Sequence, residues 1–175
     1  MTEICLEKNL PGSILDIGGG GEGVLGRVYG KSVTAIDCDQ AELDEAPDCC
    51  EKLCMDAREL RFADASFDHV TFFYSLMFMD TGTREKTLSE AGRVLRRGGS
   101  IAIWDAEFDG AYPEAYSIDL KIHLPAGTIT MTYGVLGQNM ALCAAELERA
   151  AQGLGLQLWE KRRDERAFFL IFKKK

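Results

Sequence analysis

The chain has no apolar run long enough to cross a membrane, no internal repeat and no surplus of basic residues. Its start, MTEICLEKNLPG, also lacks the basic head and apolar centre of a secretory signal. These absences predict a cytoplasmic protein without membrane contacts. A formal net charge of −8 disfavours nucleic acid as a partner, because broad binding of that kind depends on basic surface that neutralises phosphates. One local exception runs from Lys161 to Lys175, with seven basic and two acidic residues. It reads as a solvated final hairpin with a lysine tail rather than as an RNA-contacting patch.

Six cysteines without a secretory signal are read as reduced thiols. Cys49, Cys50 and Cys54 carry a second reading as a soft-metal or metalloid site. They have no matching fourth ligand nearby, so no metal is expected. At 175 residues and 46% hydrophobic content, the chain can bury one substantial core, and nothing in it marks a second domain.

What is present begins with ILDIGGGGEG, Ile14 to Gly23, an apolar run that closes on an aspartate and opens into glycines where a helix could start. Gly18 and Gly20 have no side chain to block a ligand, so backbone amides there can approach a nucleotide. The spacing Gly18-x-Gly20-x-x-Gly23 fits a dinucleotide fingerprint, which alone discriminates little. The flanking charges decide more. A pyrophosphate here would approach Asp16 and Glu22, at a cost of about 4 kcal/mol per contact at ~4 Å and an effective dielectric near 20. A ligand carrying an ammonium group and no phosphate would find the same loop attractive, and the glycine amides could accept its carboxylate.

Two further acids follow at nearly equal intervals. SVTAID ends in Asp37 and KLCMD in Asp56, 21 and 19 residues on. Each closes a short apolar run, and in a parallel sheet such strand ends share the edge where open α/β sheets bind ligands. A carboxylate at the second suits ribose hydroxyls, and one at the third could accept from an adenine amine.

With these motifs the chain resembles the class I methyltransferases dependent on S-adenosyl-L-methionine, in the branch with a small generic methyltransferase domain. The resemblance covers roughly residues 13 to 107. It rests on ILDIGGGGEG, TAID, MDARELRFADASFDHVTF and EAGRVLRRGGSIAIWD. The third is the most specific, and NAD dehydrogenases do not share it. The resemblance implies that Asp16, Gly18, Gly19 and Gly20 line the methionine part of S-adenosyl-L-methionine and that Asp37 holds the ribose. Asp56 and the Ala57 amide would read adenine, and Phe73 and Tyr74 would pass beside the methionine moiety. S-adenosyl-L-homocysteine would be the product. Two departures stand out: Glu22 and Gly23 stand where many relatives place a glycine one position earlier, and Met77 and Phe78 replace a histidine pair often seen after the fourth strand. The second removes a candidate base.

The expected fold is α/β: a Rossmann-like, doubly wound, mostly parallel seven-stranded sheet in the order 3-2-1-4-5-7-6, formed by a single domain, 1–175. Strands fall near 13–17, 32–37, 52–56, 68–75 and 100–105, with a final antiparallel pair in LQLWEKRRD and RAFFLIFK. Helices are expected over Glu22 to Tyr29, Arg84 to Arg96 with a stop at Gly98 and Gly99, and about Met140 to Gln152. Between strands three and four there is room only for a short loop. Residues 108–135 read as an inserted β-hairpin turning at Pro125 to Gly127, because Ile118, Leu120, Ile122 and Leu124 alternate with Asp119, Lys121 and His123. The hairpin is free to roof the methyl group, to pair with a second copy as a homodimer, or merely to cover core. Fuller relatives carry an N-terminal helical lid, which the resemblance does not find here.

Methyl transfer from a sulfonium needs alignment and exclusion of water, and a base only if the acceptor must lose a proton. Asp105, Tyr74, His123 and Tyr133 are the candidates, each with a plain packing or solvation role as the alternative. Trp104 reads as core or pocket wall. The leading reading is an enzyme that methylates a small-molecule substrate. The alternatives are a catalytically weak S-adenosyl-L-methionine-binding regulatory module and an NAD-binding oxidoreductase fragment.

Overall fold

A computed structural model describes residues 1–108, 115–135 and 141–175. The strands are β1 (Thr2–Cys5), β2 (Ile14–Ile17), β3 (Val33–Asp37), β4 (Glu51–Cys54), β5 (Phe67–Phe73), β6 (Leu95–Ala106), β7 (Tyr116–Leu124), β8 (Gly127–Val135), β9 (Leu156–Asp164) and β10 (Ala167–Lys174). The helices are α1 (Val24–Tyr29), α2 (Gln40–Glu45), α3 (Thr81–Val94) and α4 (Ala144–Gly153). None of them is long and apolar enough to cross a membrane.

Seven strands form one sheet in the order β4-β3-β2-β5-β6-β10-β9, in which β10 runs antiparallel to both its neighbours. β2 lies near the middle with all four residues buried, as a parallel strand covered on both faces must. A second sheet, in the order β1-β7-β8, is not foreshadowed in full by the sequence. The hairpin β7–β8 forms over the expected residues, and β1 adds to it in parallel, Thr2 opposite Leu120 and Cys5 opposite His123. Leu120 and Ile122 reach zero exposure, so the hairpin is part of the core rather than a surface flap. The stretch 109–114 and Met140 lie outside the described residues.

Several boundaries differ from the sequence reading for physical reasons. Helix α1 starts at Val24, because Gly23 at its N-cap is left-handed at φ 55°. Glu22 therefore precedes the helix, and its carbonyl accepts from Arg27 Nε at 2.7 Å. Helix α2 was missed: it has one buried apolar residue, Leu43, and is secured by Asp39, whose side chain accepts from the Ala41 amide. Helix α3 is capped by Asp80, which accepts from the Thr83 amide at 2.8 Å. It ends at Val94, short of Gly98 and Gly99, because Leu95 already pairs with Phe67 in the sheet. The two glycines fall where the register between β5 and β6 shifts, and a Cβ on Gly99 would stand 2.4 Å from the Asp68 carbonyl. No helix separates β4 from β5.

Because Leu120 has no exposure and belongs to the common hydrophobic core, Leu120→Ala should destabilise the protein by about 2–5 kcal/mol in urea unfolding. A loss under about 1 kcal/mol would mean that the small sheet is not integral to the core.

Candidate functional site

The C-terminal ends of β2, β3, β4 and β5 meet along one rim. The glycine loop leaves β2 there, with Gly18 at φ 78° and the Gly18 and Gly19 amides donating to the Ile36 carbonyl at 2.8 and 3.0 Å. A Cβ on Gly18 would fall 2.4 Å from the Ser75 Cβ, and one on Gly20 would fall 2.6 Å from the Glu42 Cβ and 3.0 Å from Asp37 Oδ2. The loop is thus wedged between α2 and the turn after β5. That turn is tied back by Ser75 Oγ, which donates to the Ile17 carbonyl at 2.7 Å.

Over this loop opens a cavity of about 710 Å³. Of the residues expected to bind the cofactor, Gly18, Gly20, Asp37, Asp56, Ala57 and Phe73 line it. Tyr74 and Tyr133 line it too, with Thr132 and Gly134, so β8 of the small sheet supplies part of its wall. The two tyrosine rings stack in parallel at 5.3 Å, and Phe78, half exposed, sets its edge against Tyr133 at 6.4 Å. Tyr74 holds an unusual backbone angle for a bulky residue, φ 51°, fixed by its amide donating to the Trp104 carbonyl at 2.7 Å. Burial pushes both phenols upward, so each stays protonated at neutral pH.

Other expected residues lie elsewhere. Asp16 does not line the cavity: it is 2% exposed beneath the loop, where Thr71 Oγ1 donates to its Oδ1 at 2.7 Å. A Cβ on Gly19 would point at the same carboxyl, 2.7 Å from Oδ2, so Gly19 serves packing rather than the cavity. Asp105 is fully buried, and its oxygens accept from the amides of Leu76, Met77 and Ala106 at 3.0, 3.3 and 2.9 Å. It braces the turn after β5 and is not placed to act as a base. His123 lies at the tip end of the hairpin, with its ring nitrogens 3.1 Å from Thr128 Oγ1 and 3.2 Å from Glu3 Oε2. The alternation that put His123 on the polar face was right, but there it meets Glu3 of β1 and does not line the cavity.

Two features escaped the sequence reading. Glu42 hangs over the glycine loop, its carbonyl accepting from the Gly21 amide at 2.7 Å, and burial followed by the charges of Glu45, Asp37 and Asp39 raises its carboxyl. The acid at the cap of α2 was the available signal. Asp56 is not a free acceptor: Arg58 clamps it through the backbone amide at 2.8 Å and the guanidinium at 2.6 Å, which holds its carboxyl below the ordinary range.

Among the described lining residues, Glu22, Asp37, Glu42, Asp56 and Asp80 oppose Arg58 as the one basic side chain. Such a surface favours a cationic ligand and repels phosphates. The thiols of Cys49 and Cys50 face Gly26 of α1, whereas Cys54 lies at the far end of β4 with its thiol 3.7 Å from the Cys38 carbonyl. The three do not converge, and no metal-holding group of three or more such ligands occurs among the described residues.

Residues 15–103 match the family model described as a methyltransferase domain. No curated protein matches the sequence. The fold is shared with solved structures of low identity. The PH0226 protein from Pyrococcus horikoshii superposes with a TM-score of 0.69 at 17% identity, over 94% of this chain and 83% of that one. A SAM-dependent methyltransferase from Methanosarcina mazei gives 0.64 at 18%, over 95% and 93%. The glycopeptide N-methyltransferase MtfA, solved with S-adenosyl-L-methionine, gives 0.64 at 14%, over 95% and 89%.

Burial lifts Asp16 to about 7, against the weaker opposing bond from Thr71. An unfolded aspartate releases its proton near pH 4. Between about pH 4 and 7 the folded state therefore keeps a proton that the unfolded state has lost, and stability falls as pH rises. Without ligand, the wild type should lose stability relative to Asp16→Asn across that window, by a few kcal/mol at most, with parallel curves above it. Parallel urea-unfolding curves from pH 4 to 8 would contradict the assignment.

Proposed function

The chain belongs to the methyltransferase-domain family, and we propose that its rim cavity binds S-adenosyl-L-methionine and directs the methyl group to a small-molecule acceptor. The observation that carries this reading is the five-to-one excess of carboxylates over guanidinium around a loop that has no room for a Cβ at Gly20. A nucleoside with an ammonium and a sulfonium fits that surface, and a pyrophosphate-bearing dinucleotide does not. When bound, S-adenosyl-L-methionine supplies a methyl group on a positively charged sulfur, and S-adenosyl-L-homocysteine remains after its transfer.

Each side chain then has a part that follows from its position. Asp37, between Gly20 and the cavity, accepts from ribose hydroxyls. The Ala57 amide and the Met55 side chain meet the base, while Asp56 fixes the turn through Arg58 rather than facing the ligand alone. Gly18 and the loop amides approach the carboxylate end, with Glu42 and Glu22 near the ammonium. Phe73 and Tyr74 offer ring faces to the sulfonium, an attraction of about 0.5–2 kcal/mol. Tyr133 closes the cavity from β8 and keeps water out. Both phenols remain protonated, so they orient and shield rather than abstract a proton. Methyl transfer here rests on alignment.

Losing the charge-assisted bonds from Asp37 removes about 1.5–3 kcal/mol. Asp37→Ala should therefore weaken S-adenosyl-L-homocysteine in calorimetric titration by roughly 10- to 100-fold. Gly20→Ala should abolish binding, since its Cβ would collide with Glu42 and Asp37. Wild-type affinity in both variants, or a larger thermal shift with NADH than with S-adenosyl-L-homocysteine, would overturn the reading.

A further inference from the structure

Outside the cleft, a second cavity of about 320 Å³ lies behind Tyr74, roofed by β1 and floored by Trp104 and Phe169. Its two arginines are answered within the protein, Arg162 by Glu160 and Arg163 by Glu107. The cleft over the glycine loop holds a buried group that is not. Among the described residues, the hydroxyl of Thr87 is the single buried side-chain oxygen or nitrogen without a hydrogen-bond partner. Thr87 borders that cleft, yet it has no exposure to water. An unanswered buried hydroxyl costs stability, so its place in the wall calls for an explanation.

Thr87 lies inside α3, where a threonine hydroxyl ordinarily bonds to a carbonyl one turn back. Here that bond is not made. The other short hydroxyls that line the cleft are engaged. Ser75 donates to the Ile17 carbonyl, Thr132 donates to Asp119 Oδ1 at 2.7 Å, and Thr83 gives both its amide and its hydroxyl to Asp80.

Helix α3 is fastened to the turn that follows β4. Glu90 accepts from the Leu60 amide at 2.8 Å, and Arg93 donates to the Leu60 and Phe62 carbonyls, each at 2.9 Å. Met55, Asp56, Ala57 and Arg58 line the cleft just before this contact, and Thr83 and Thr87 continue the wall on α3. This is the end that Met55 and Ala57 give to the base. Acids can accept from the exocyclic amine of adenine, but its ring nitrogens are themselves acceptors and need donors. Arg58 is committed to Asp56, so the Thr87 hydroxyl is the side-chain donor left over at this end.

Resting on the S-adenosyl-L-methionine reading, we propose that Thr87 reads the base: its hydroxyl donates to a ring nitrogen of adenine, as the α3 counterpart of the Ala57 amide. A helical threonine has two favoured χ1 wells, so a single rotation can exchange methyl and hydroxyl at the cavity wall. Without ligand the hydroxyl stays unanswered, and the base supplies the acceptor. Thr87 thereby selects for the base and touches none of the reacting atoms. One substitution should then act in opposite directions on the free and the bound protein.

The test is Thr87→Val, which keeps the shape and removes the hydroxyl. Ligand-free, the variant should unfold at a higher urea concentration than the wild type, because a buried unpartnered polar group is gone. In calorimetric titration it should bind S-adenosyl-L-homocysteine roughly 5- to 10-fold more weakly, while Thr87→Ser, which retains the donor, should stay within about threefold of wild type. The 1-deaza, 3-deaza and 7-deaza analogues of S-adenosyl-L-homocysteine each lack one ring nitrogen, and one of them should bind wild type and Thr87→Val equally. Undiminished S-adenosyl-L-homocysteine affinity in Thr87→Val, or the same loss with all three analogues, overturns the base-reading role. Lower stability of ligand-free Thr87→Val would mean that the hydroxyl has a partner within the protein, and overturns it too. A wild type that binds no S-adenosyl-L-homocysteine sinks the cofactor reading and the role of Thr87 with it, an outcome distinct from unchanged affinity in the variant.

Discussion

The approach of backbone to backbone at the glycine loop is the constraint on which the site depends. Gly18 and Gly19 share the Ile36 carbonyl, and Gly20 presses on α2. The turn after β5 is held onto this loop from the other side. Any side chain at these positions would separate elements that meet within van der Waals contact. Two carboxyls are buried here, Asp16 against Thr71 of β5 and Asp105 against the amides of the turn after β5, and both are pushed up to about 7 by loss of water. The rim is therefore built over groups that would rather be neutral, while Asp37 and Asp56 stand at the cavity's edge.

How far the chain could be read in advance varied with how local the determinant was. The spacing of Asp37 and Asp56 was legible because each closes an apolar run, and both strand ends do line the cavity. Asp16 ends a similar run but sits one turn of the loop below it, a difference of depth that spacing does not encode. The hairpin was legible from strict alternation. Its partner β1 was not, because TEIC is four residues long and gains its stability from a strand more than a hundred positions away. Gly98 and Gly99 looked like a helix stop because the competing pairing of Leu95 with Phe67 is nonlocal. The second cavity draws on β1, the end of β5, β6 and the β9–β10 hairpin, so no single segment announces it.

The two sheets divide the work. The large one supplies the rim and the acids, and the small one supplies closure, with Thr132 and Tyr133 on the cleft side and β1 on the other. The stacked pair of Tyr74 and Tyr133 is the seam between them. Burial of Leu120 and Ile122 makes that closure part of the core, so access to the cleft is set by a packed layer rather than by a hinged flap.

The parallel pairing of β1 with β7 also has a temporal side. During synthesis, Thr2–Cys5 leaves the ribosome long before Leu120 and His123 exist to receive it. Thr2–Cys5 must wait, unpaired, for the hairpin, and contacts of such long sequence separation form slowly. The large sheet's rim can assemble from its early strands, but the chamber roofed by β1 is among the last parts of the molecule to acquire its shape.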